Sequence, residues 1–154
     1  LVGSEMCIRD RYPGKEAEAN GQGAAIADLL YTCADLPTPI LAILIGEGGS
    51  GGALALAFGD EVWMTDKSMY SILSPEGFAA ILWKDASRAK EAAAVMQLTP
   101  QDLLAKAVCD RIIPDTGTTF ATTLKAAIKP KLAELVATDP QALIAKRQQR
   151  FRKF

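Results

Sequence analysis

Histidine is missing altogether from the 154 residues. Its absence excludes a Ser-His-Asp triad, a His-ligated metal and a histidine general base within this chain. Cysteine is scarce: Cys7, Cys33 and Cys109 form neither a CxxC nor any metal-like spacing. Such an odd, scattered set reads as reduced thiols in a cytosolic setting, with Cys33 and Cys109 as core residues. Neither sign of charge is in excess, since 17 Lys and Arg face 18 Asp and Glu for a net charge of −1. No global field therefore points to nucleic acid or an acidic membrane. Long apolar runs are lacking too: Ile40–Ile45 and Ala53–Phe58 are six residues each, against the ~18 needed to span a bilayer. Leu1–Arg11 has neither the n-region nor the h-region of a signal peptide, and the first residue is not Met; the expectation is a fragment of a longer chain.

What is present reads as globular. Hydrophobic residues make up 49%, charged residues 23%, and there are 12 glycines; this suits one domain, or part of a larger one, that buries roughly 70% of its unfolded surface. Glu16–Leu36 has a helical period, with Ile26, Leu29, Leu30 and Cys33 on one stripe, stopped by Pro37-Thr38-Pro39. Ile40–Ile45 predicts a strand buried on both faces. After the loop Gly46–Gly52, Ala53–Phe58 predicts a helix apolar on every side and so wrapped by protein all round. Glu61–Thr65 and Ser68–Leu73 read as short strands with only Asp66 and Lys67 between them, too few for a crossover helix. Ser74-Pro75-Glu76-Gly77 reads as a turn before a helical stretch, Phe78–Trp83. Asp85 caps an Ala-rich helix to about Met96, and Thr99-Pro100 caps another through Ala107. Asp110–Pro114 is a strand, Thr119–Val136 a helix kinked at Pro130, and Asp139-Pro140 starts the last helix. The tail Lys146–Phe154 holds five basic residues and no acid, leaving 12 basic against 18 acidic elsewhere. It reads first as a solvated helix face, with partner contact as the sharper alternative.

The chemical centre is GEGGSGG, residues 46–52, and it fits several patterns. Gly48, Ser50 and Gly52 satisfy GxSxG, but a nucleophile elbow needs a base; without histidine only a Ser-Lys pair survives, and no lysine is near in sequence. Gly46, Gly48 and Gly51 satisfy GxGxxG after a strand, with Asp66 twenty residues on, which approaches a dinucleotide-binding fingerprint. Against that stand the two-residue gap between the next strands and the all-apolar helix. A Walker loop is excluded, since no Gly-Lys-Ser/Thr occurs. A further reading uses backbone alone: glycines before a short helix let amide N–H groups hold a developing oxyanion without any ionisable side chain. The plainer alternative is a glycine-lined close approach of helix to strand.

Residues 37–64 (PTPILAILIGEGGSGGALALAFGDEVWM), 70–93 (YSILSPEGFAAILWKDASRAKEAA) and 109–115 (CDRIIPD), with Tyr12-Pro13-Gly14, resemble the carboxyltransferase alpha subunit of bacterial and plastid acetyl-CoA carboxylase. The likeness runs from Tyr12 to the C-terminus, roughly the second half of such a subunit. It implies an α/β fold of the crotonase/ClpP-like kind, a spiral of ββα units with additional C-terminal helices. It also implies transfer of a carboxyl group from biotin on a separate carrier protein to acetyl-CoA, giving malonyl-CoA for fatty acid synthesis. Implied partners are a beta subunit in an α2β2 assembly, biotin carboxyl carrier protein and biotin carboxylase. The beta subunit would hold the thioester and the family's zinc, leaving no metal in this chain. The location would be the bacterial cytoplasm, or the stroma in a plant. By the same resemblance, amides of Gly51 and Gly52 form the oxyanion hole, and Gly48, Gly49 and Ala53 shape the pocket. Ser74, Pro75, Glu76 and Gly77 line the adjoining wall, with Glu76 as a loop anchor before a biotin neighbour, and Glu47 is equally ambiguous. Trp63, Trp83 and Tyr70 read as core or subunit interface. Leu1–Arg11 departs from the family pattern and resembles translated adapter sequence, so it is expected to be non-native, with residues 12–154 as the carboxyltransferase domain's C-terminal part.

Overall fold

The structure is a computed structural model that describes residues 15–153; Leu1–Arg11, Cys7 and Tyr12-Pro13-Gly14 lie outside the described residues. The elements are α1 (Lys15–Ala19), α2 (Gln22–Asp35), β1 (Leu41–Leu44), β2 (Glu47–Gly49), α3 (Ser50–Leu56), β3 (Glu61–Thr65), β4 (Met69–Ser71), α4 (Pro75–Trp83), α5 (Ala89–Met96), α6 (Pro100–Ala105), β5 (Arg111–Ile113), α7 (Phe120–Val136) and α8 (Pro140–Phe151).

Strands alternate between two sheets. β1, β3 and β5 form one parallel sheet in that order, and β2 pairs parallel with β4 in another. Parallel neighbours cannot be joined by a hairpin, so the chain visits the second sheet and a helix before it returns to the first. Each ββα turn thus contributes one strand to each sheet: β1-β2-α3, then β3-β4-α4. This explains the short link Asp66–Ser68 after β3, because β3 and β4 belong to different sheets and need no crossover. The core follows β3. Trp63 and Ile113 pack with Ala127 on α7, while Met64 packs with Leu103 and Cys109. Burial pushes the Cys109 thiol up, which suits a core residue and not a nucleophile; Cys33 is only half-buried.

Several expectations change. The first helix is two, separated where Gly21 takes φ 76°; the stripe of Ile26, Leu30 and Cys33 lies within α2 and is half-buried, with Leu29 at its exposed margin. β1 is half-buried along its length and not buried on both faces, because it is the edge strand of its sheet among the described residues. α3 begins at Ser50 and not at Ala53, and Leu54 remains 41% exposed, so that helix is not wrapped all round. Ser74–Gly77 is no free turn, since Ser74 caps α4 with Pro75 in the first helical turn. The caps at Thr99 and Asp139 form as predicted, Thr99 with a full capping box through Asp102.

The largest correction concerns the basic tail. Lys146–Phe151 lies in α8, and Arg147 is buried with no exposed side-chain surface. Its Nε and Nη2 donate to the Asp60 carboxylate at 2.9 and 2.8 Å. Nη1 donates to the carbonyls of Cys33 and Leu36 at 2.6 and 2.8 Å, and Nη2 to that of Thr38 at 2.9 Å. All five guanidinium donors are therefore used. Asp60 in turn accepts from the Ile40 amide at 2.7 Å. Arg150 repeats the theme, binding Asp110 at 2.7 Å and the Val108 carbonyl at 2.8 Å. Removing one partner of a buried pair strands the other charge, which costs about 3–5 kcal/mol. Arg147→Ala is expected to lower unfolding free energy by about that amount in urea titration, and Arg147→Met with Asp60→Leu to recover much of it.

Candidate functional site

The expected site residues lie in β2, in the first turns of α3 and at the start of α4. Register sets Gly48 opposite Tyr70 and Gly49 opposite Ser71. α3 begins immediately after β2, and α4 begins four residues after β4. Each strand of this pair is thus followed by a helix whose first-turn N–H groups have no acceptor within the helix itself.

These two amino ends differ. α4 is capped, because Ser74 Oγ accepts from the Gly77 amide at 3.1 Å. That bond anchors the segment, so Ser74 has the role expected of Glu76; Glu76 itself is exposed in the first turn. At α3 the N-cap is Gly49, which supplies no side-chain cap. The first-turn amides of Ser50, Gly51 and Gly52 consequently lack an acceptor on their own capping residue, and an external oxygen can take that place.

Each glycine does different physical work. A β-carbon on Gly48 would overlap Leu44 Cδ2 and sit 3.5 Å from Tyr70 and 3.6 Å from Ala53, so Gly48 and Ala53 are packing positions that set the floor. One on Gly49 would meet only the Ser71 carbonyl, at 3.9 Å. One on Gly51 would touch Ile26 of α2 at 3.7 Å, in ordinary contact. Gly52 has open space there. An alanine fits at Gly52 and would favour the helix, so packing does not explain this glycine.

Tyr70 is half-buried against Gly48; burial pushes its phenol up against the opposing charge of Arg150, and it stays neutral near pH 7. Trp63 is fully buried, as read, while Trp83 is only partly buried and lies under the Arg88 guanidinium at 4.1 Å. Asp66, the acid of the dinucleotide pattern, accepts from the Asp115 amide at 2.8 Å, and Gly48 and Gly49 lie in a strand and not a phosphate loop. A cleft of ≈ 290 Å³ lies elsewhere, between the start of β3 and the α7–α8 turn, and includes Glu61, Glu134 and Lys146. The glycine edge lies outside that cleft.

Sequence reasoning missed two neighbours. Ile26 was legible only as part of a stripe, not as the residue covering Gly51. Ser50 adopts φ 61°, and no spacing signals a left-handed serine.

The family described as acetyl co-enzyme A carboxylase carboxyltransferase-like matches residues 8–154. A relative in Streptococcus thermophilus, acetyl-coenzyme A carboxylase carboxyl transferase subunit alpha, is 53% identical over 146 residues, which are 93% of this chain and 57% of that protein. Its counterpart in Streptococcus equi subsp. equi is 51% identical over the same shares. The chain thus spans little more than half the length of these curated relatives. Among solved structures, a Pseudomonas malonate decarboxylase hetero-tetramer in complex with coenzyme A superposes with TM-score 0.71 at 18% identity, covering 88% of this chain and 56% of that one. Transcarboxylase 12S gives 0.60 at 20%, covering 77% and 25%. An enoyl-CoA hydratase from Mycobacterium avium subsp. paratuberculosis gives 0.53 at 18%, covering 84% and 55%. These likenesses show the fold, the crotonase-type spiral of ββα units.

The glycine analysis separates packing from function. Gly52→Ala is expected to raise unfolding free energy by about 0.5–1 kcal/mol, and Gly48→Ala to lower it by about 1–3 kcal/mol because Leu44 must move. Urea denaturation of the two variants checks both signs.

Proposed function

This chain belongs to the acetyl-CoA carboxylase carboxyltransferase family, and on that premise we propose that it forms the biotin-facing half of a carboxyltransferase active site. The proposed reaction moves a carboxyl group from carboxybiotin, delivered on a separate carrier protein, to the methyl carbon of acetyl-CoA. The carbon–nitrogen bond breaks, a carbon–carbon bond forms, and the methyl proton passes to the freed biotin nitrogen, giving malonyl-CoA. Biotin is cargo here and supplies both the leaving nitrogen and the base, which suits a chain with no histidine.

The supporting observation is the uncapped first turn of α3 at the carboxyl edge of β2 and β4. Amides of Gly51 and Gly52 are proposed to donate to the ureido oxygen as negative charge develops there. Donors fixed by a helix backbone need no reorganisation at that moment, and the loss of one costs ~2.7–4 kcal/mol in measured enzymes. Gly48, Gly49 and Ala53 hold the floor under those amides. Ser74, Pro75, Glu76 and Gly77 start α4 alongside them as the second wall.

An open half-site also suits a partner that supplies the other half. We assign that part to a beta subunit holding the thioester, in an α2β2 assembly within the carboxylase. Biotin carboxylase and the biotin carboxyl carrier protein act upstream of it, in the cytoplasm of a bacterium.

The full-length alpha subunit mixed with a beta subunit is expected to show malonyl-CoA-dependent carboxylation of a biotin derivative, and neither subunit alone to do so. Gly52→Val is expected to lower that turnover by about 10²–10³-fold while circular dichroism and assembly size stay unchanged. Wild-type turnover in Gly52→Val would remove the oxyanion assignment.

A further inference from the structure

The cleft between the start of β3 and the α7–α8 turn divides by charge. One wall comes from α8 and the residues that follow it. Lys146 and Arg150 lie one turn apart on the same face of that helix. Lys153 continues the row, with its amide donating to the Arg150 carbonyl at 3.5 Å, and all three side chains line the cleft. Arg150 is partly committed, since Nη1 binds Asp110 and Nη2 the Val108 carbonyl. Lys146 and Lys153 are exposed and form no ion pair among the described residues.

The acids of the cleft are held from outside its lining. Asp60 is bound by Arg147 at 2.8 Å. Lys131 serves two carboxylates, Glu61 at 3.1 Å and Glu134 at 2.9 Å, and Glu61 also accepts from Trp63 Nε1. One cation shared by two carboxylates leaves acceptor capacity, and it lies at Glu134, the more exposed of the two. The cleft thus sets two uncompensated ammonium groups on one wall and a hydrogen-bond acceptor on the other. Leu135 and Leu143, both buried, give it an apolar floor.

Each part of this lining selects a part of a ligand. Two ammonium groups match a phosphate monoester, whose charge near pH 7 is about −1.5 to −2, better than a single carboxylate. Glu134 matches hydroxyl donors, and the leucines match a carbon skeleton. A volume of ≈ 290 Å³ stands near the lower end of the roughly 300–1,000 Å³ of small-molecule sites. We infer that this cleft binds a small phosphate monoester bearing hydroxyl groups, with Lys146 and Lys153 on the phosphate, Arg150 adding its charge, and Glu134 accepting from the hydroxyls. A ligand seated there braces α8, the helix whose Arg147 clasps Asp60. Binding here does not depend on carboxyl transfer.

The test is calorimetric titration of the full-length alpha subunit with AMP and with glucose 6-phosphate, against adenosine, glucose and inorganic phosphate. At least one ester is expected to bind at low salt, to weaken several-fold in ~0.5 M NaCl, and to raise Tm as its concentration rises. The double variant Lys146→Gln with Lys153→Gln is expected to weaken it about tenfold. Lys125→Gln with Lys129→Gln removes the same charge from exposed positions on α7 and is expected to leave the Kd unchanged. All four lysines are exposed, so Tm without ligand should stay at the unaltered value in both variants. Binding of AMP alone makes the ligand a nucleotide, and binding of glucose 6-phosphate alone makes it a sugar phosphate; either supports the site. No heat with either ester, equal binding of adenosine or glucose, or an unchanged Kd in the Lys146→Gln with Lys153→Gln variant overturns it. Inorganic phosphate that binds as tightly as the ester overturns it as well, because the cleft then reads an adventitious ion only.

Discussion

Arg147 is the constraint on which the described fold depends. A guanidinium with no exposed surface is tolerable only when every donor is used, and here the acceptors come from three places. The Asp60 carboxylate supplies charge. The carbonyls of Cys33 and Leu36 are those left unpaired where α2 ends, and that of Thr38 lies in the Pro-flanked link to β1. A cation at a helix carboxyl end also meets the partial negative charge there. Asp60, held in this way, takes the Ile40 amide and fixes the entry to β1. Asp110, held by Arg150, takes the Val62 amide at 2.7 Å and does the same for β3. One helix thus sets the starting points of two neighbouring strands.

The second sheet carries the glycine segment: β2 and β4 pair in parallel register, and α3 and α4 each follow one strand of that pair. The first of these helices is left without a side-chain cap and the second is capped by its own serine. The difference gives direction to an arrangement built largely of backbone. The first-turn amides of α3 are backbone groups whose positions are set by packing on Gly48, Ala53 and Ile26.

Much of the fold was legible because local chemistry dictated it. Thr99-Pro100 and Asp139-Pro140 carry their caps in the sequence itself, and the tertiary structure only accepts them. β3 and β5 were legible as short apolar runs between polar residues. Gly46–Gly52 was not, since a glycine-rich segment has no local preference that separates loop, strand and helix; pairing with β4 makes Glu47–Gly49 a strand, and packing of α3 against Ile26 makes Ser50 the helix start. The tail was misread for a related reason. Charge counting sees five cations and predicts a wet face, yet whether an arginine is buried depends on acceptors 87 to 114 residues away. Of the candidate site, the glycines, Ala53 and the Ser74–Gly77 segment came from resemblance to a family motif, whereas the left-handed backbone at Ser50 and the cap in which Ser74 accepts from the Gly77 amide belong to three dimensions.

Those same separations order the birth of the molecule. A ribosome delivers β1 and its proline-flanked approach long before it delivers Arg147, so during synthesis the Asp60 carboxylate and the ends of α2 wait in water for a partner not yet translated. Contacts this distant in sequence are slow to close. The approach to β1 is therefore clasped only after the last described helix has left the exit tunnel, and a nascent chain shorter than that presents β1 without it.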